Sequence, residues 1–194
     1  MLTASEGGAL ITLARRTIER ALRRRHPQAV HTGRDVDGPE PPTPGMAVLN
    51  EPRGAFVTLH AQGDLRGCIG YVESALPLAR VVEEVAEKAA FEDPRFPPLT
   101  PDEYPSVEVE ISVLSPLREI ASPEEIVVGS HGLLLEHGWH RGLLLPQVAT
   151  EYGWDRTLFL ENVARKAGLP ATAWKAPGAR IFIFTADIIR EEGE

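Results

Sequence analysis

The order of hydrophobic and polar positions predicts a helix near the beginning of the chain. In the segment LARRTIERALRRRH, hydrophobic or small residues recur with the spacing of one face of an amphipathic helix. This stripe consists of Leu13, Ala14, Thr17, Ile18, Ala21 and Leu22. The opposite face, which we expect to be solvated, carries Arg16, Arg20, Arg23 and Arg24.

After this helix the pattern changes twice. The prolines of HTGRDVDGPEPPTPG disfavour a helix or a central strand, so we expect a loop or strap at about residues 31–50. The runs GAFVTLH and LRGCIGYVE then have the alternation of β-strands. Gly63, in the AQGD that separates them, suits a hairpin turn.

Helices and strands follow one another irregularly through the rest of the chain. PLARVVEEVAEKAAFEDPRF predicts the clearest helix, and SVEVEISVLSP alternates as a half-buried strand does. A capping box at Ser122 precedes EIVVG, and HGLLLEHGWHRGLLL predicts a hairpin that turns at Gly138 and Trp139. VATEYGWDRTLFLENVARKAGLP predicts one helical segment that ends at Gly168, and ARIFIFTADIIRE predicts one final strand.

These elements favour an α+β fold with a largely antiparallel β-sheet flanked by helices, because the hairpins do not alternate with helices as in a doubly wound sheet. A chain of 194 residues, 43% of them hydrophobic, can form one substantial core or two small lobes. We expect a single domain over residues 5–190. The sequence contains no dinucleotide fingerprint and no phosphate loop, so it indicates no cofactor.

The composition bears on location and partners. The sequence has no basic leader with a cleavage site and no apolar run long enough to cross a membrane, so we expect a cytoplasmic protein without a membrane partner. Six arginines and two glutamates lie among residues 1–26, although the chain carries a net charge of −8. This asymmetry suggests nucleic-acid binding, but such surfaces usually add stacking aromatic residues or a basic total. We therefore expect little affinity for nucleic acid.

The chain contains one cysteine, Cys68, within LRGCIG. It can neither form an intramolecular disulfide nor supply a cysteine-rich zinc site, so it is a buried thiol or a reactive one. Strand alternation places Arg66 and Cys68 on one face, where a guanidinium favours the thiolate, and the flanking glycines leave space for a ligand or another backbone. The sequence fixes no base beside the thiol, and His60 is the nearest candidate. Cys68 is thus the candidate catalytic residue. The alternative is that Cys68 only packs inside the protein, which explains the same sequence pattern.

Three more residues complete the predicted binding set that begins with Arg66 and Cys68. Arg95 is presented in a fixed direction by the proline-rich segment DPRFPPLTPDEYP. Glu110, on a strand, is a candidate partner for either arginine, and Gln147 has an amide that suits a backbone group or a ligand.

Two other sets of residues resemble a catalytic or metal site, but each has a simpler structural explanation. Glu108 and Glu110 lie about 7 Å apart on one strand face, as paired catalytic carboxylates do, but a solvated sheet face gives the same pattern. His137 and His140 flank a hairpin turn and could share a metal with His131, although an exposed turn is favoured. We therefore expect no metal site.

Five motifs occur in a fixed order: LRGCIG, DPRFPPL, EISVLSP, GLLLPQVA and KAGLP. Their order and spacing resemble those of the AMMECR-one domain family, whose prokaryotic members are called AmmeMemoRadiSam system protein A. The resemblance extends from about Leu10 to Ile188. It implies an α+β domain with a larger and a smaller lobe, and partnership with a Memo-like protein and a radical-SAM protein. It implies no established reaction.

One position departs from the family pattern. Family members often have a second cysteine shortly before KAGL, where this chain has Ala164. A mechanism that requires two thiols is therefore in doubt for this chain. Any shared thiol chemistry would depend on Cys68 alone.

Two classes of function fit these residues. In the first, the protein is an accessory or binding protein that docks a partner protein or a small-molecule ligand through Arg66, Cys68 and Arg95. In the second, it is an enzyme in which Cys68 acts on a small electrophile. The first is preferred because the sequence shows no base, metal set or cofactor cradle, and a nucleic-acid-binding regulatory protein is the third alternative. The sequence leaves open whether the protein is an enzyme.

Overall fold

The computed structural model describes residues 2–28 and 46–191, which form two compact units. The first unit comprises the described residues of Met1–Val113 and Asp187–Glu194, and the second is Leu114–Ala186. The described strands form two four-stranded sheets together with helices, so the predicted α+β class is confirmed, with two sheets where we expected one. That residues 5–190 act as a single domain stays a prediction.

Helix α1, Ala4–Arg25, begins with a capping box. Thr3 Oγ1 accepts a hydrogen bond from Glu6 N–H (3.3 Å), and Thr3 N–H donates to the Glu6 carboxylate (2.8 Å), so two free amides of the first turn are satisfied. The predicted helix is confirmed, and its buried face consists of Gly7, Leu10, Ala14, Thr17, Ile18, Ala21 and Leu22.

The sheet of the first unit has the strand order β2-β1-β3-β8. Its strands are β1 Ala55–Ala61, β2 Asp64–Tyr71, β3 Val107–Leu114 and β8 Ala186–Arg190. β1 pairs antiparallel with β2 and with β3, which leaves β2 at one edge of the sheet. The predicted hairpin is confirmed, and its turn residues Gln62 and Gly63 have φ angles of 55° and 85°.

Helix α2, Leu78–Phe91, packs against β1 and β2 through its apolar stripe. This stripe and the buried face of α1 belong to one hydrophobic core, which also contains Ala55, Val57 and Leu59 of β1. The core lies on the side of β1 that carries its odd-numbered residues. The helix that the sequence predicted most clearly is therefore the one that supports the hairpin.

Two arginines of α1 are paired rather than only solvated. Arg20 forms an ion pair with Glu83 (3.5 Å), and Arg24 forms one with Glu87 (2.9 Å), both on α2. Part of the basic charge that suggested nucleic-acid binding is thus neutralised within the first unit.

The sheet of the second unit has the strand order β4-β7-β5-β6. Its strands are β4 Arg118–Ile120, β5 Gly132–His137, β6 His140–Leu144 and β7 Arg180–Phe184, and each neighbouring pair is antiparallel. The predicted turn between β5 and β6 is confirmed, with φ of 60° at Gly138. Gly142 of β6 lets the end of a helix approach the sheet, because a Cβ there would lie 2.5 Å from the Ala167 nitrogen.

Two predictions for this part of the chain were wrong in detail. The segment predicted as one helix contains two, α3 Pro146–Glu151 and α4 Arg156–Lys166. Gly153 between them has φ of 63°, and the Asp155 carboxylate caps α4 by accepting from Leu158 N–H (2.8 Å).

The segment predicted as one final strand is β7 and β8, which belong to different sheets. The chain passes between them at Thr185, which forms two hydrogen bonds with Ser115. Ser115 N–H donates to Thr185 O, and Thr185 N–H donates to Ser115 Oγ, each at 2.9 Å.

Short 3-10 helices occur at Ala47–Asn50, Tyr104–Ser106, Pro123–Glu125 and Ala173–Lys175. The capping box predicted at Ser122 is present and opens the third of them. Of the predicted strap at 31–50, residues 31–45 lie outside the described residues, and the rest includes the first of these helices.

Candidate functional site

The motif LRGCIG lies within the edge strand β2. Leu59 and His60, which are consecutive in β1, pair with Gly67 and Leu65 of β2. Arg66 is therefore an extra residue in β2, which makes a β-bulge. The bulge interrupts the strict alternation from which we placed the arginine and the cysteine of the motif on one face.

The two glycines of the motif face other parts of the protein. A Cβ at Gly67 would lie 2.2 Å from the Ala89 carbonyl oxygen of α2. A Cβ at Gly70 would lie 2.3 Å from Cδ1 of Phe56. Gly67 thus permits the backbone of α2 to approach the strand, which is one of the two explanations that the sequence allowed. The space at Gly70 holds an aromatic ring of β1.

Asp93 and Arg95 bind the backbone of Cys68. Cys68 N–H donates to Asp93 Oδ2 (2.8 Å), and Arg95 Nη2 donates to Cys68 O (3.3 Å). Arg95 also binds the carboxylate, with Nε 2.9 Å from Oδ1 and Nη2 2.6 Å from Oδ2. An edge strand has no neighbouring strand for its outward N–H and C=O groups. This pair of side chains satisfies both groups of Cys68 and fixes the position of Arg95.

The Asp93 carboxylate is a buried, fixed charge. Its side chain is 2% exposed, whereas that of Arg95 is 53% exposed. Hydrogen bonds from the Arg95 side chain hold the pKa of Asp93 far below its ordinary value, although burial acts in the opposite direction. Hydrogen bonds from the backbone N–H groups of Cys68 and Arg95 lower this pKa further. Asp93 in turn raises the pKa of Arg95, so both groups are charged at neutral pH.

Arg66 is held by a second carboxylate. Its Nε and Nη2 donate to Glu103 (3.3 and 3.2 Å), and Nη2 also donates to Pro97 O (2.9 Å). The hydrogen bonds from Arg66 lower the pKa of Glu103. The Phe96 ring centroid lies 5.9 Å from the Arg66 Cζ and 5.5 Å from the Arg95 Cζ. The structure thus brings the two predicted arginines to one aromatic ring.

The Cys68 sulfur accepts a hydrogen bond from Thr58 Oγ1 (3.3 Å), and the residue is half-buried. Thr58 pairs with Glu110 of β3 on its other side. Glu110 accepts from Arg190 Nε of β8 (2.8 Å). Glu110 therefore shares a row of the sheet with the thiol, but its ion pair is with Arg190 and not with either arginine that we considered.

Gln147 and His60 are two other residues that the sequence singled out. Gln147 lies at the start of α3 in the second unit, and its Oε1 is buried without a hydrogen-bond partner among the described residues. His60 lines a cavity of about 220 Å³ in the first unit together with Glu108, Glu110 and Arg190. No hydrogen bond within the described part of the chain joins His60 to the thiol.

Two further properties concern residues 2–28 and 46–191 only. No group of three or more His, Cys, Asp and Glu side chains there is placed to hold a metal ion. None of the helices there has both the length and the apolar character that a membrane crossing requires.

The match to known proteins extends over nearly the whole chain. The AMMECR1 family model matches residues 11–189. The chain belongs to the AMMECR1 family. A protein of Methanothermobacter thermautotrophicus is 44% identical over 198 residues, which cover 99% of this chain and 97% of that protein. Protein MJ0810 of Methanocaldococcus jannaschii is 43% identical over 199 residues, with coverages of 98% and 92%.

A crystal structure supports the same assignment. Uncharacterized protein PH0010 from Pyrococcus horikoshii is similar to this chain with a TM-score of 0.84 and 38% sequence identity. The match covers 98% of this chain and 94% of that protein. The resemblance that the five motifs indicated is therefore confirmed, and the fold of this chain agrees with that of PH0010.

In this AMMECR1 chain, the sequence alone missed the residues that hold the motif in place. Asp93 and Glu103 fix the two arginines, and Thr58 donates to the thiol. Asp93 stands at the head of DPRFPPL, so its presence in a family motif was an available signal. The sequence did not show that Asp93 binds Cys68, because the two residues are 25 positions apart in the chain.

Proposed function

We propose that this protein is an accessory or binding protein that acts with Memo-like and radical-SAM partner proteins, and that Arg66, Cys68 and Arg95 belong to its contact surface. The observation that carries the proposal is the bonding of the Cys68 backbone to Asp93 and Arg95. These bonds fix the motif while the Arg95 side chain stays 53% exposed. Arginine is enriched among the residues that dominate binding surfaces, and a side chain that is already held loses less freedom on binding. The choice of partners rests on the family resemblance.

A Cys68-dependent enzyme is the second candidate, and the hydrogen bond from Thr58 to the sulfur favours it. A nucleophilic thiol also needs a base that removes its proton. Among the described residues, the sulfur is hydrogen-bonded by a threonine hydroxyl, which is not a base at neutral pH. We therefore prefer a binding protein to a Cys68-dependent enzyme.

Affinity measurements with purified proteins test the proposal. The Memo-like and radical-SAM proteins of the same genome would be immobilised in turn, and binding of the wild-type chain, Arg95→Lys and Cys68→Ala would be measured by biolayer interferometry. We expect each substitution to weaken binding about tenfold, because a hot-spot contact is lost. Failure of the wild-type chain to bind either partner would overturn the proposal.

Arg165→Lys is the matched control. The Arg165 side chain is also 53% exposed and also pairs with a carboxylate, that of Glu161 (3.2 Å), but it lies on α4 of the second unit. We expect this variant to bind as the wild type does. Thermal unfolding of every variant identifies losses that come from misfolding.

A further inference from the structure

Arg66 and Arg95 hold their guanidinium groups in the same manner. Each uses Nε and Nη2 to bind one carboxylate, and each donates from Nη2 to one backbone carbonyl oxygen. A guanidinium has five N–H donors, and two of them are on Nη1. Within the described part of the chain, no hydrogen bond or ion pair reaches the Nη1 of either arginine.

The side chains of the two arginines differ in exposure. The Arg95 side chain is 53% exposed, and that of Arg66 is 11% exposed. Among the described side chains, the buried nitrogen or oxygen atom that has no hydrogen-bond partner is Gln147 Oε1. The Arg66 Nη1 is therefore not fully enclosed, although Arg66 as a residue is 9% exposed and thus more buried than Arg95.

Each carboxylate covers only one edge of its guanidinium group. The oxygens of Asp93 and Glu103 lie against the Nε and Nη2 edge of each guanidinium, so the Nη1 side stays positive. Phe96 stands within cation–π distance of both arginines and limits their movement. The result is a surface of two preorganised guanidinium groups at one phenyl ring.

We propose that this surface binds an oxyanion, a carboxylate or phosphate group of the ligand or partner, through the Nη1 donors of Arg66 and Arg95. The inference rests on the proposed function, since it names the chemical group that a partner would present to the same residues. Carboxylate and phosphate oxygens are the acceptors that guanidinium N–H groups fit best. The arginines are already ordered by their carboxylates, so binding immobilises no additional long side chain.

A titration followed by NMR tests the proposal on the full chain. The probes are inorganic phosphate and succinate, each added at constant ionic strength with sodium chloride as the balancing salt. The ¹H–¹⁵N signals of the Nε–H groups of Arg66 and Arg95 report binding. Saturating shifts with phosphate alone indicate a phosphate group, those with succinate alone indicate a carboxylate, and saturation by both supports the shared chemistry.

Variants distinguish binding at Arg66 and Arg95 from a general effect of added ions on the protein. Arg95→Lys keeps a positive charge opposite Asp93 but removes Nη1, and we expect it to weaken binding about tenfold or more. Arg165→Lys is expected to leave the affinity unchanged. If Arg95→Lys does not fold, Phe96→Leu takes its place, with an expected loss of about threefold. Shifts that do not saturate with either probe, or equal affinities in the site and control variants, would overturn the inference.

The two proposals fail in different ways. If the wild type binds phosphate or succinate, Arg95→Lys does not, and no partner protein binds, then the oxyanion site stands and the proposed function fails. If neither probe saturates, while the partner proteins bind the wild type and bind Arg95→Lys and Cys68→Ala more weakly, the oxyanion site fails and the proposed function stands.

Discussion

The substitution Asp93→Asn removes the charge that holds the LRGCIG strand edge while it preserves the shape of the side chain. Asp93 Oδ2 accepts from Cys68 N–H and Arg95 Nη2, and Oδ1 accepts from Arg95 N–H and Nε. An asparagine has one acceptor oxygen and one NH₂ group. Whichever way the amide is turned, its NH₂ faces either Cys68 N–H or Arg95 N–H. One backbone donor at a part-buried position is then left without an acceptor.

The expected loss follows from these contacts. A buried donor without an acceptor costs about 1–3 kcal/mol. The lost attraction to Arg95 adds about 1 kcal/mol or less, because that guanidinium is half exposed and can be hydrated. Because the donors are part-buried, we expect Asp93→Asn to lower the free energy of unfolding in urea at pH 7 by about 1–3 kcal/mol in all. Asp102→Asn, at an exposed position of the same proline-rich segment, should change it by less than about 0.5 kcal/mol.

The dependence on pH gives a second measurement of the same interaction. The hydrogen bonds lower the pKa of Asp93 in the folded protein below its value in the unfolded chain. The stabilisation is therefore complete above the unfolded value and is lost as the pH falls through the folded one. The difference between the wild type and Asp93→Asn should be constant from about pH 5 to 8 and should shrink below about pH 4. Equal stability of the Asp93 and Asp102 variants at pH 7, or a difference that persists in acid, would refute this reasoning.

Three other outcomes are expected. Gly67→Ala should lower the thermal unfolding midpoint by about 5 °C or more, because its Cβ would lie 2.2 Å from a backbone oxygen of α2. Gly8→Ala, which has no atom within 4 Å of the new Cβ, should leave the midpoint unchanged or raise it; equal midpoints for both variants would contradict the contact. Cys68 is half-buried and should react with iodoacetamide in the folded protein, as mass spectrometry would show, whereas labelling only in urea would indicate a packing residue. Binding to DNA or RNA, measured by fluorescence anisotropy, should be weak and absent at about 0.2 M salt, because Arg20 and Arg24 already pair with glutamates; tight, salt-resistant binding would restore the nucleic-acid alternative.

Elements with an uninterrupted period were predictable from the sequence. α2 has a continuous apolar stripe, and Pro94 follows shortly after its last residue. The β1–β2 hairpin has two alternating runs around a glycine that accepts a positive φ. In both cases local propensity and burial require the same structure, so the pattern carried enough information.

The errors occurred where distant contacts decide the structure. ARIFIFTADIIRE contains no glycine or proline at the point where the chain changes sheets, and the change is made by Thr185 and its bonds to Ser115. The helical segment before KAGLP did contain such a signal, Gly153, but a single glycine is also tolerated inside a helix.

The sequence indicated three residues that the structure brings together, but not their pairing. Arg66 and Cys68 lie on the edge strand β2, and Arg95 bonds to the Cys68 backbone and shares the Phe96 ring with Arg66. Of the other predicted residues, Glu110 pairs with Arg190, and Gln147 belongs to the second unit. The sequence did not indicate which carboxylate binds which arginine, because Arg66 and Glu103 are 37 positions apart. The bulge at Arg66 was also hidden, since the glycine after it suits a regular strand and a bulge equally well.

The order of strands in the first sheet has a consequence for synthesis on the ribosome. β3 and β8 are neighbours in that sheet, yet residues 115–185 lie between them in the chain. While this stretch is translated, β3 has one edge of unpaired backbone groups that is open to other strands. Asp187 binds Leu2 N–H and Glu191 binds the Arg15 guanidinium, and both acidic residues are synthesised only after this stretch. A ribosome that stalls within residues 115–185 therefore leaves β3 with an unpaired edge, and Leu2 and Arg15 gain both contacts only after translation has passed β8.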